Sequence, residues 1–209
     1  MQSNKINYFC IAFLLCTSLD PLFAQTDSIP STPFNKKKLA LVVGTETALY
    51  SSSLIALNEL WFADYSQSSF HLFNDNYEWQ QMDKFGHATT SYYLGRVGIG
   101  LMKWSGVKRK KAIWYGGMLG WFYQSTIEVL DGCSSGWGFS LGDIGANTVG
   151  SILVIGEELA WDDQRIVLKY SFQQSKYSKY RPSILGSTWQ ENMLKDYNGQ
   201  TYWLSVNPS

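Results

Sequence analysis

The chain has 209 residues, which suits one compact domain and leaves too little for two of ordinary size. Lys and Arg together number 17, as do Asp and Glu, so the formal net charge is zero, which argues against a nucleic-acid partner held by a basic face. Charged and aromatic residues each make up 16% of the chain, a balance that argues against disorder and indicates a folded protein with much apolar surface, covered by its own core or by a bilayer.

The first 24 residues have the pattern of a secretory signal peptide. Lys5 lies in a polar start, residues 8–15 form an apolar run too short to span a bilayer, and the small residue Ala24 precedes the predicted cleavage site. The alternative is an uncleaved N-terminal anchor. Lipid attachment at Cys16 is not predicted, because the residues before it are large. We therefore predict export to the cell envelope.

Export would leave a single cysteine in the mature chain. Cleavage removes Cys10 and Cys16, so no internal disulfide is predicted. The remaining Cys133 is predicted to be a small packed residue rather than a nucleophile. Neither histidine lies in a Cys/His zinc pattern.

The mature chain is predicted to be mainly α-helical. Residues 25–38 are rich in Ser, Thr and Pro and are predicted as a linker, and residues 39–161 as a helical bundle domain. Composition and apolar spacing favour about four hydrophobic helices, at residues 39–62, 82–103, 112–130 and 141–161. Residues 162–209 are predicted as a tail in which two short strands, 165–172 and 201–206, flank a short helix with a capping box at Thr188 and Glu191.

The predicted helices are long enough for a bundle embedded in a membrane or docked on one. Twenty helical residues cover about 30 Å, the thickness of the hydrocarbon core. Glycines line the second, third and fourth helices, as is common where bilayer helices approach closely. Each helix is nevertheless interrupted by a charged or polar residue, which opposes full insertion: Glu46, Arg96, Gln124 and Asp143.

Two topology signals conflict. The positive-inside rule places residues 36–38 and the basic loop at 103–111 in the cytoplasm, whereas a cleaved signal peptide would place residues 36–38 outside. Either the signal peptide is a false prediction, or the bundle lies on a membrane or only partly in it.

Three pairs of polar residues lie at helix ends, and in each pair a spacing of three or four places both residues on one helix face. The pairs are Asp83 with His87 in the second helix, Glu128 with Asp131 in the third, and Asp143 with Asn147 in the fourth. Because short links make neighbouring helices antiparallel, we expect all three pairs at one end of the bundle and the basic loop at the other.

As a functional site, this cluster would supply acid–base groups or ligands for a hard metal ion of unknown identity. The catalytic candidates are His87, Asp83, Glu128 and Asp143, and the binding candidates are Lys84, Asp131 and Asn147. Lys84 would hold an anionic head group.

The same residues also have a structural interpretation. Asp83 would complement the helix dipole, and Ser140 with Asp143 would form a capping box. Glu128 and Asp131 would form buried ion pairs with Lys84 and Arg96. The sequence leaves the functional and the structural interpretation about equally supported.

Several of these segments resemble a known family. They are residues 71–75 (HLFND), 78–79, 81–87 (QMDKFGH), 128–131, 139–140 and 143–150 (DIGANTVG). Together they resemble the YfiM-like lipoprotein family of unknown function over residues 39–160, and the segment 195–205 is similar to the end of members from Gram-negative bacteria. A looser resemblance is to the VanZ-like membrane family, which also places Asp-Lys and His on one helix, then an acidic residue, then Asp and Asn before a Gly. The resemblance implies an envelope protein with several hydrophobic helices and no established activity.

Two functions are therefore predicted as alternatives. The first is a membrane-associated helical protein of the envelope with a binding or scaffolding role, whose polar cluster fixes helix register. The second is an envelope enzyme that acts on a lipid or a lipid-linked cell-wall precursor. The expected partner is a membrane lipid or an envelope component. No nucleic acid and no cofactor are predicted, and the sequence does not distinguish the inner from the outer membrane or define the oligomeric state.

Overall fold

The structure is a computed structural model that describes residues 33–58 and 65–208. The predicted signal peptide at residues 1–24, with Cys10 and Cys16, lies outside the described residues, as does most of the predicted linker.

Helices form the body of the protein, as the sequence predicts. They are α1 (Lys36–Leu57), α2 (Met82–Trp104), α3 (Arg109–Gly117), α4 (Leu119–Gly132) and α5 (Leu141–Trp161). Side chains cap two of them: Asn35 accepts from the backbone N–H groups of Lys37 and Lys38, and Ser140 accepts from that of Asp143. The first helix begins at Lys36 rather than at Leu39.

The predicted third helix is in fact two helices, so the prediction of one continuous helix over 112–130 is wrong. The chain bends at Met118, where α3 ends and α4 begins. Glycines on both sides of the bend touch α2: a Cβ on Gly116 would lie 2.3 Å from the Ile99 nitrogen, and one on Gly120 would lie 2.3 Å from the Ser91 oxygen. The bend therefore lets α3 and α4 both pack backbone to backbone on α2.

Helix α2 lies at the centre of the bundle and carries much of its core. Its buried Tyr92 and Ile99 pack with Ile113 of α3 and with Val154 and Ile155 of α5. Burial of such side chains stabilises each by roughly 1.5–3 kcal/mol, which fixes α2 between α3 and α5.

The tail contains the predicted two-stranded sheet, so this prediction is confirmed. Strands β1 (Ile166–Phe172) and β2 (Gln200–Val206) pair antiparallel with Tyr170 opposite Tyr202, and the short helices α6 (Pro182–Leu185) and α7 (Trp189–Lys195) lie between them. Thr188 and Glu191 form the predicted capping box of α7.

The β1–β2 pair, which we call the hairpin although residues 173–199 separate its strands, runs along α2 from one end of the bundle to the other. At one end the Ile166 backbone donates to Glu157 of α5 over 2.6 Å, and near the middle the Tyr93 hydroxyl donates to the Leu168 carbonyl. At the other end the rings of Tyr202 and Phe85 stack at 5.9 Å. One side of α2 is therefore covered by a sheet rather than by a helix.

The basic segments lie together at the end of the bundle where α2 finishes. The Asn35 backbone donates to the Ser105 carbonyl over 3.0 Å, and the Lys38 ammonium lies 4.4 Å from the centre of the Trp104 ring. Lys103 and Arg109 pair there with Asp162 just after α5. We refer to this region as the basic end.

Among the described helices, one has the length and apolar composition to cross a membrane. It is α1, with a mean hydropathy of 1.4 and only 6% of its most apolar window buried against the rest of the protein. The embedding of a four-helix bundle in a membrane stays a prediction.

Cys133 is exposed, so the prediction that it is a packed residue is wrong. It follows α4, and its backbone carbonyl accepts from the Ser68 N–H over 2.9 Å. The residue thus belongs to a loop whose backbone, rather than its thiol, makes the contacts.

Candidate functional site

The predicted polar residues lie at the end of the bundle opposite the basic end. Antiparallel packing brings the start of α2, the end of α4 and the start of α5 together there, as the short links require. His87 is central to this cluster. Its Nδ1 lies 3.0 Å from Asn147 Oδ1, while its Nε2 lies 3.5 Å from Glu128 Oε1 and 3.9 Å from Asp83 Oδ1.

Asn147 orients the imidazole. With Nδ1 donating to the Asn147 carbonyl oxygen, Nε2 is directed at the two carboxylates. The Gln124 amide nitrogen lies 3.3 Å from the same Nδ1, but the two form no hydrogen bond while Nδ1 carries its proton, because both groups are then donors. Ser91 donates to the Asn147 oxygen. Within the described residues, the buried Asn147 Nδ2 has no hydrogen-bond partner.

Lys84 joins three segments of the chain through two carboxylates. Its Nζ lies 2.8 Å from Asp75 in the loop before α2 and 3.0 Å from Asp143 at the start of α5. The side chains are only 12% (Lys84), 15% (Asp75) and 4% (Asp143) exposed, so water screens these ion pairs weakly. An anionic head group would have to compete with both carboxylates for the ammonium group.

The loop before α5 ties the remaining groups together. Ser140 donates from its hydroxyl to Asp75 over 2.7 Å, and its backbone N–H donates to Glu128 Oε2 over 3.1 Å. The same hydroxyl accepts from the backbone N–H of Asp143 and so caps α5. One serine therefore positions a loop, a helix end and a buried carboxyl group.

The tail also reaches the cluster. The Tyr197 hydroxyl donates to Asp83 Oδ1 over 2.9 Å, and the Tyr197 ring lies 5.6 Å from that of Trp79. Burial, and then the nearby negative charge of Asp83, raises the pKa of the Tyr197 phenol. Tyr197 therefore stays protonated and acts as a hydrogen-bond donor.

Three carboxyl groups of the cluster hold protons more tightly than usual. Burial raises the pKa of Glu128 to about 8, against the opposing charge of His87. Burial and the charges of Asp83 and Asp143 raise the pKa of Asp131 to about 7. Burial, only partly offset by His87, raises the pKa of Asp143 to about 6.

The two basic side chains are stabilised in their charged forms. Burial opposes the imidazolium, but the charges of Asp83, Asp143 and Glu128 outweigh it and raise the pKa of His87. Burial likewise opposes the ammonium of Lys84, and its hydrogen bonds to the two carboxylates outweigh it and raise its pKa. Perturbed pKa values of this kind are common at functional sites and also occur in structural ion-pair networks.

A subset of the cluster has the spacing of metal ligands. One ligand atom from each of Asp83, His87 and Asp143 can be chosen so that all three lie within 4.8 Å of one another. An imidazole with two carboxylates suits a divalent transition metal better than calcium, which prefers oxygen ligands alone. Asp143 already shares Lys84 with Asp75, so a metal would have to displace that ion pair or share its carboxylate.

The structure brings most of the predicted residues into one network and leaves one outside it. Asp83, Lys84, His87, Glu128, Asp143 and Asn147 are joined by hydrogen bonds or ion pairs. Asp131 acts on Asp83 and Asp143 by charge alone, since within the described residues its carboxylate makes no hydrogen bond or ion pair. The structural alternative in which Glu128 and Asp131 pair with Lys84 is wrong, because Asp75 and Asp143 pair with that lysine instead.

Five further residues contact the network and were not predicted as site residues: Asp75, Ser91, Gln124, Ser140 and Tyr197. Asp75 lies in an Asn-Asp-Asn turn, and Ser140 has the sequence signal of a helix cap, so both could have been considered. Tyr197 gives no such signal, because its contact depends on how the tail folds back along α2.

The fold and site together define a small helical bundle with a buried His–carboxylate cluster at one end. Residues 61–155 match the model of a family described as "Predicted periplasmic lipoprotein (DUF2279)". The matched range contains every residue of the cluster except Tyr197, and it omits α1 and the tail. No curated protein and no solved structure matches the chain. The family description fits a protein of the cell envelope, whereas the more specific resemblances to the YfiM-like and VanZ-like families stay predictions.

Proposed function

We propose that the chain is an exported, membrane-associated protein of the cell envelope with a binding and scaffolding role, and that its polar cluster fixes the register of α2, α4 and α5. The description of the matched family supports the envelope location. The exposed apolar surface of α1, a helix about 33 Å long, supports membrane association.

The position of Lys84 is the observation that carries the scaffolding role. Its ammonium group lies between Asp75 and Asp143, and Asp75 in turn accepts from Ser140. Each polar group in this set is paired with another group of the protein, so the contacts connect the loop before α2, the start of α2 and the start of α5. Removal of one partner from a buried ion pair typically costs 3–5 kcal/mol, because it leaves a buried charge uncompensated.

The test compares Lys84→Met with Lys110→Met, which removes an exposed lysine from the basic end. We expect Lys84→Met to lower the free energy of unfolding by about 3 kcal/mol or more and Lys110→Met to change it by less than about 0.5 kcal/mol. Denaturant unfolding followed by circular dichroism measures both. Equal stability of the two variants would contradict the scaffolding role.

A second candidate function is supported by the environment of His87 Nε2. This nitrogen faces Glu128 and Asp83, and the Asp83 side chain is 32% exposed and so reachable from solvent. In an enzyme that acts on a lipid or a lipid-linked cell-wall precursor, His87 and Glu128 would exchange a proton and Asp83 would meet the substrate. Alternatively, Asp83, His87 and Asp143 would hold a metal ion that supplies Lewis-acid chemistry.

Complementation of a deletion strain separates the two candidates. For the enzyme, we expect Asp83→Asn and His87→Gln to fold with native circular dichroism and to fail in complementation, whereas the control Lys179→Met, which removes an exposed lysine of the tail, should complement normally. Normal complementation by both folded variants would exclude the enzyme. Metal analysis of the purified protein tests the metal version separately, since a metal-free protein that takes up no divalent ion would exclude it.

A further inference from the structure

We propose that the outer surface of α3, α4 and α5 docks on one leaflet of a phospholipid membrane, that a groove between α4 and α5 takes an acyl chain, and that the hairpin side stays in water. This proposal rests on the membrane association proposed above and specifies the surface and the ligand.

The groove lies between the α3–α4 bend on one side and α5 on the other. It has a volume of about 440 Å³, and its main lining residues are Trp114, Met118, Trp121, Ile152, Ile155 and Leu159. Thr148 also lines the groove, and its hydroxyl accepts a hydrogen bond from the Trp121 indole N–H and donates one to the Ile144 carbonyl. Gly156 leaves the wall open, since a Cβ there would meet nothing within 4 Å. The Trp121 and Thr148 groups are therefore already paired, and the rest of the lining is mainly apolar apart from Ser151, whose buried hydroxyl has no hydrogen-bond partner within the described residues.

The surface around the groove is also apolar and exposed. Large side chains project from both helices beside it, with Phe122 and Val129 on α4 and Val149 and Ile152 on α5. Ile152 is 64% exposed although it lines the groove. Large exposed apolar side chains grouped on neighbouring helices are typical of a surface that binds another protein or a membrane.

The hairpin argues against a bundle surrounded by lipid. It runs along α2 from Glu157 near the basic end to Phe85 near the polar cluster, so it shares the height of the helices. Strand β2 pairs only with β1 in the described residues, which leaves its outer edge open. Open sheet edges do not occur in the hydrocarbon region, because their backbone groups would lack hydrogen bonds there. Only the side away from the hairpin can therefore contact lipid.

The charges beside the apolar surface favour a phospholipid as its occupant. Exposed Lys108, Lys110 and Lys111 precede Trp114 on α3, at the edge of the groove. Lysine next to tryptophan at the border of an apolar surface is typical of membrane interfaces, where the ammonium groups meet phosphate and the indole lies at head-group depth. A protein partner would not require this arrangement.

Bromine quenching of tryptophan fluorescence tests which side meets the lipid. The full chain is mixed with vesicles of phosphatidylethanolamine and phosphatidylglycerol whose acyl chains carry bromine. The double variant Trp114→Phe/Trp121→Phe removes the groove tryptophans, and the control Trp203→Phe removes a hairpin tryptophan that is 46% exposed. We expect bromine to quench the parent protein, the double variant to lose most of that quenching, and the control to keep it.

Vesicle flotation supplies the second measurement. We expect Val149→Gln/Ile152→Gln to reduce the fraction that floats and Leu204→Gln on the hairpin to leave it unchanged. If the parent protein floats but only Trp203→Phe loses the quenching, the proposed docking surface is wrong and the proposed membrane association stands. If the parent protein does not float, both the docking surface and the membrane association are wrong. A dimer in light scattering that Val149→Gln/Ile152→Gln abolishes, without bromine quenching, would assign the surface to a second copy and overturn the proposal.

Discussion

Tyr197 donates a hydrogen bond to Asp83 over 2.9 Å, although 114 positions separate the two residues. The contact links the tail to the first turn of α2, next to His87. Asp83 is the most exposed acidic residue that faces this histidine, so the tail partly covers the side from which solvent reaches the cluster. The tail is therefore part of the site as well as an appendage of the bundle.

The first prediction concerns this hydrogen bond. Tyr197→Phe keeps the ring beside Trp79 and removes the hydroxyl, so we expect the free energy of unfolding to fall by about 2 kcal/mol. Tyr180→Phe is the matched control, because that side chain is 80% exposed and its loss of a hydroxyl should change stability by less than about 0.5 kcal/mol. Urea unfolding measures both. Identical midpoints for the parent and Tyr197→Phe would contradict the prediction.

The second prediction concerns the dependence of stability on pH. Because the pKa of Glu128 is about 8 in the folded protein, the fold binds a proton there more tightly than the unfolded chain does. Stability should therefore fall as pH rises from about 5 to about 8. The raised pKa of His87 acts in the same direction, since its stabilising cation is lost as pH rises.

Substitution isolates the part that Glu128 contributes. Glu128→Gln should flatten the profile measured by urea unfolding with a chelator present. Glu191→Gln should leave the slope above about pH 5 unchanged, because hydrogen bonds to Ser187 and Thr188 outweigh burial and lower the pKa of Glu191, and its contribution is lost only in acid. A Glu128→Gln profile as steep as that of the parent would show that other groups cause the dependence.

The third prediction compares two glycines of α5. A Cβ on Gly150 would lie 2.1 Å from the Ala88 carbonyl oxygen of α2, and backbone cannot move aside cheaply. Gly150→Ala should therefore lower the free energy of unfolding by about 1–3 kcal/mol or more. Gly145→Ala meets nothing within 4 Å and should raise it by about 0.5–1 kcal/mol through helix propensity. Thermal unfolding would refute the packing argument if both changes had the same sign.

The fourth prediction concerns the entry into α2. Trp79, Gln80 and Gln81 all have positive φ, and for residues with a Cβ this left-handed conformation costs roughly 1–2 kcal/mol each. Gln80→Gly should therefore raise the free energy of unfolding by about 1 kcal/mol. Glu78→Gly is the control, because its φ of −91° is unstrained and glycine there only adds freedom to the unfolded chain. Urea unfolding measures both variants. An equal change in the free energy of unfolding for Gln80→Gly and Glu78→Gly would contradict the prediction that the backbone at Gln80 is strained.

The sequence predicts the parts of this fold that depend on local pattern. Alternating residues predict the first strand, Thr188 with Glu191 predicts the cap of α7, and the short links predict which helix ends meet. The bend at Met118 is different, because it follows from the contacts of Gly116 and Gly120 with α2. The apolar spacing of a helix does not show where its glycines will contact another helix, so the bend cannot be predicted before the partner helix is known.

The same distinction applies to the cluster. Residues such as His87 and Asn147 could be placed together because each lies near a helix end with a known direction. Asp75 and Tyr197 could not, since the loop before α2 and the tail have no period that fixes where they fold back. The alternative that pairs Lys84 with Glu128 is wrong for this reason, because the sequence does not show that the loop brings Asp75 to the lysine.

The uneven distribution of lysines between the two ends has a consequence that the net charge of zero conceals. Lys108, Lys110 and Lys111 are exposed at one end of helices about 30 Å long, whereas at the other end the charges of Lys84 and His87 are balanced by Asp75, Asp83 and Asp143. A molecule with this distribution carries a large permanent electric dipole along the helix axes. Beside a negatively charged surface it experiences a torque that turns its lysines inward before any contact forms, so its approach is oriented although it has no overall charge to draw it in.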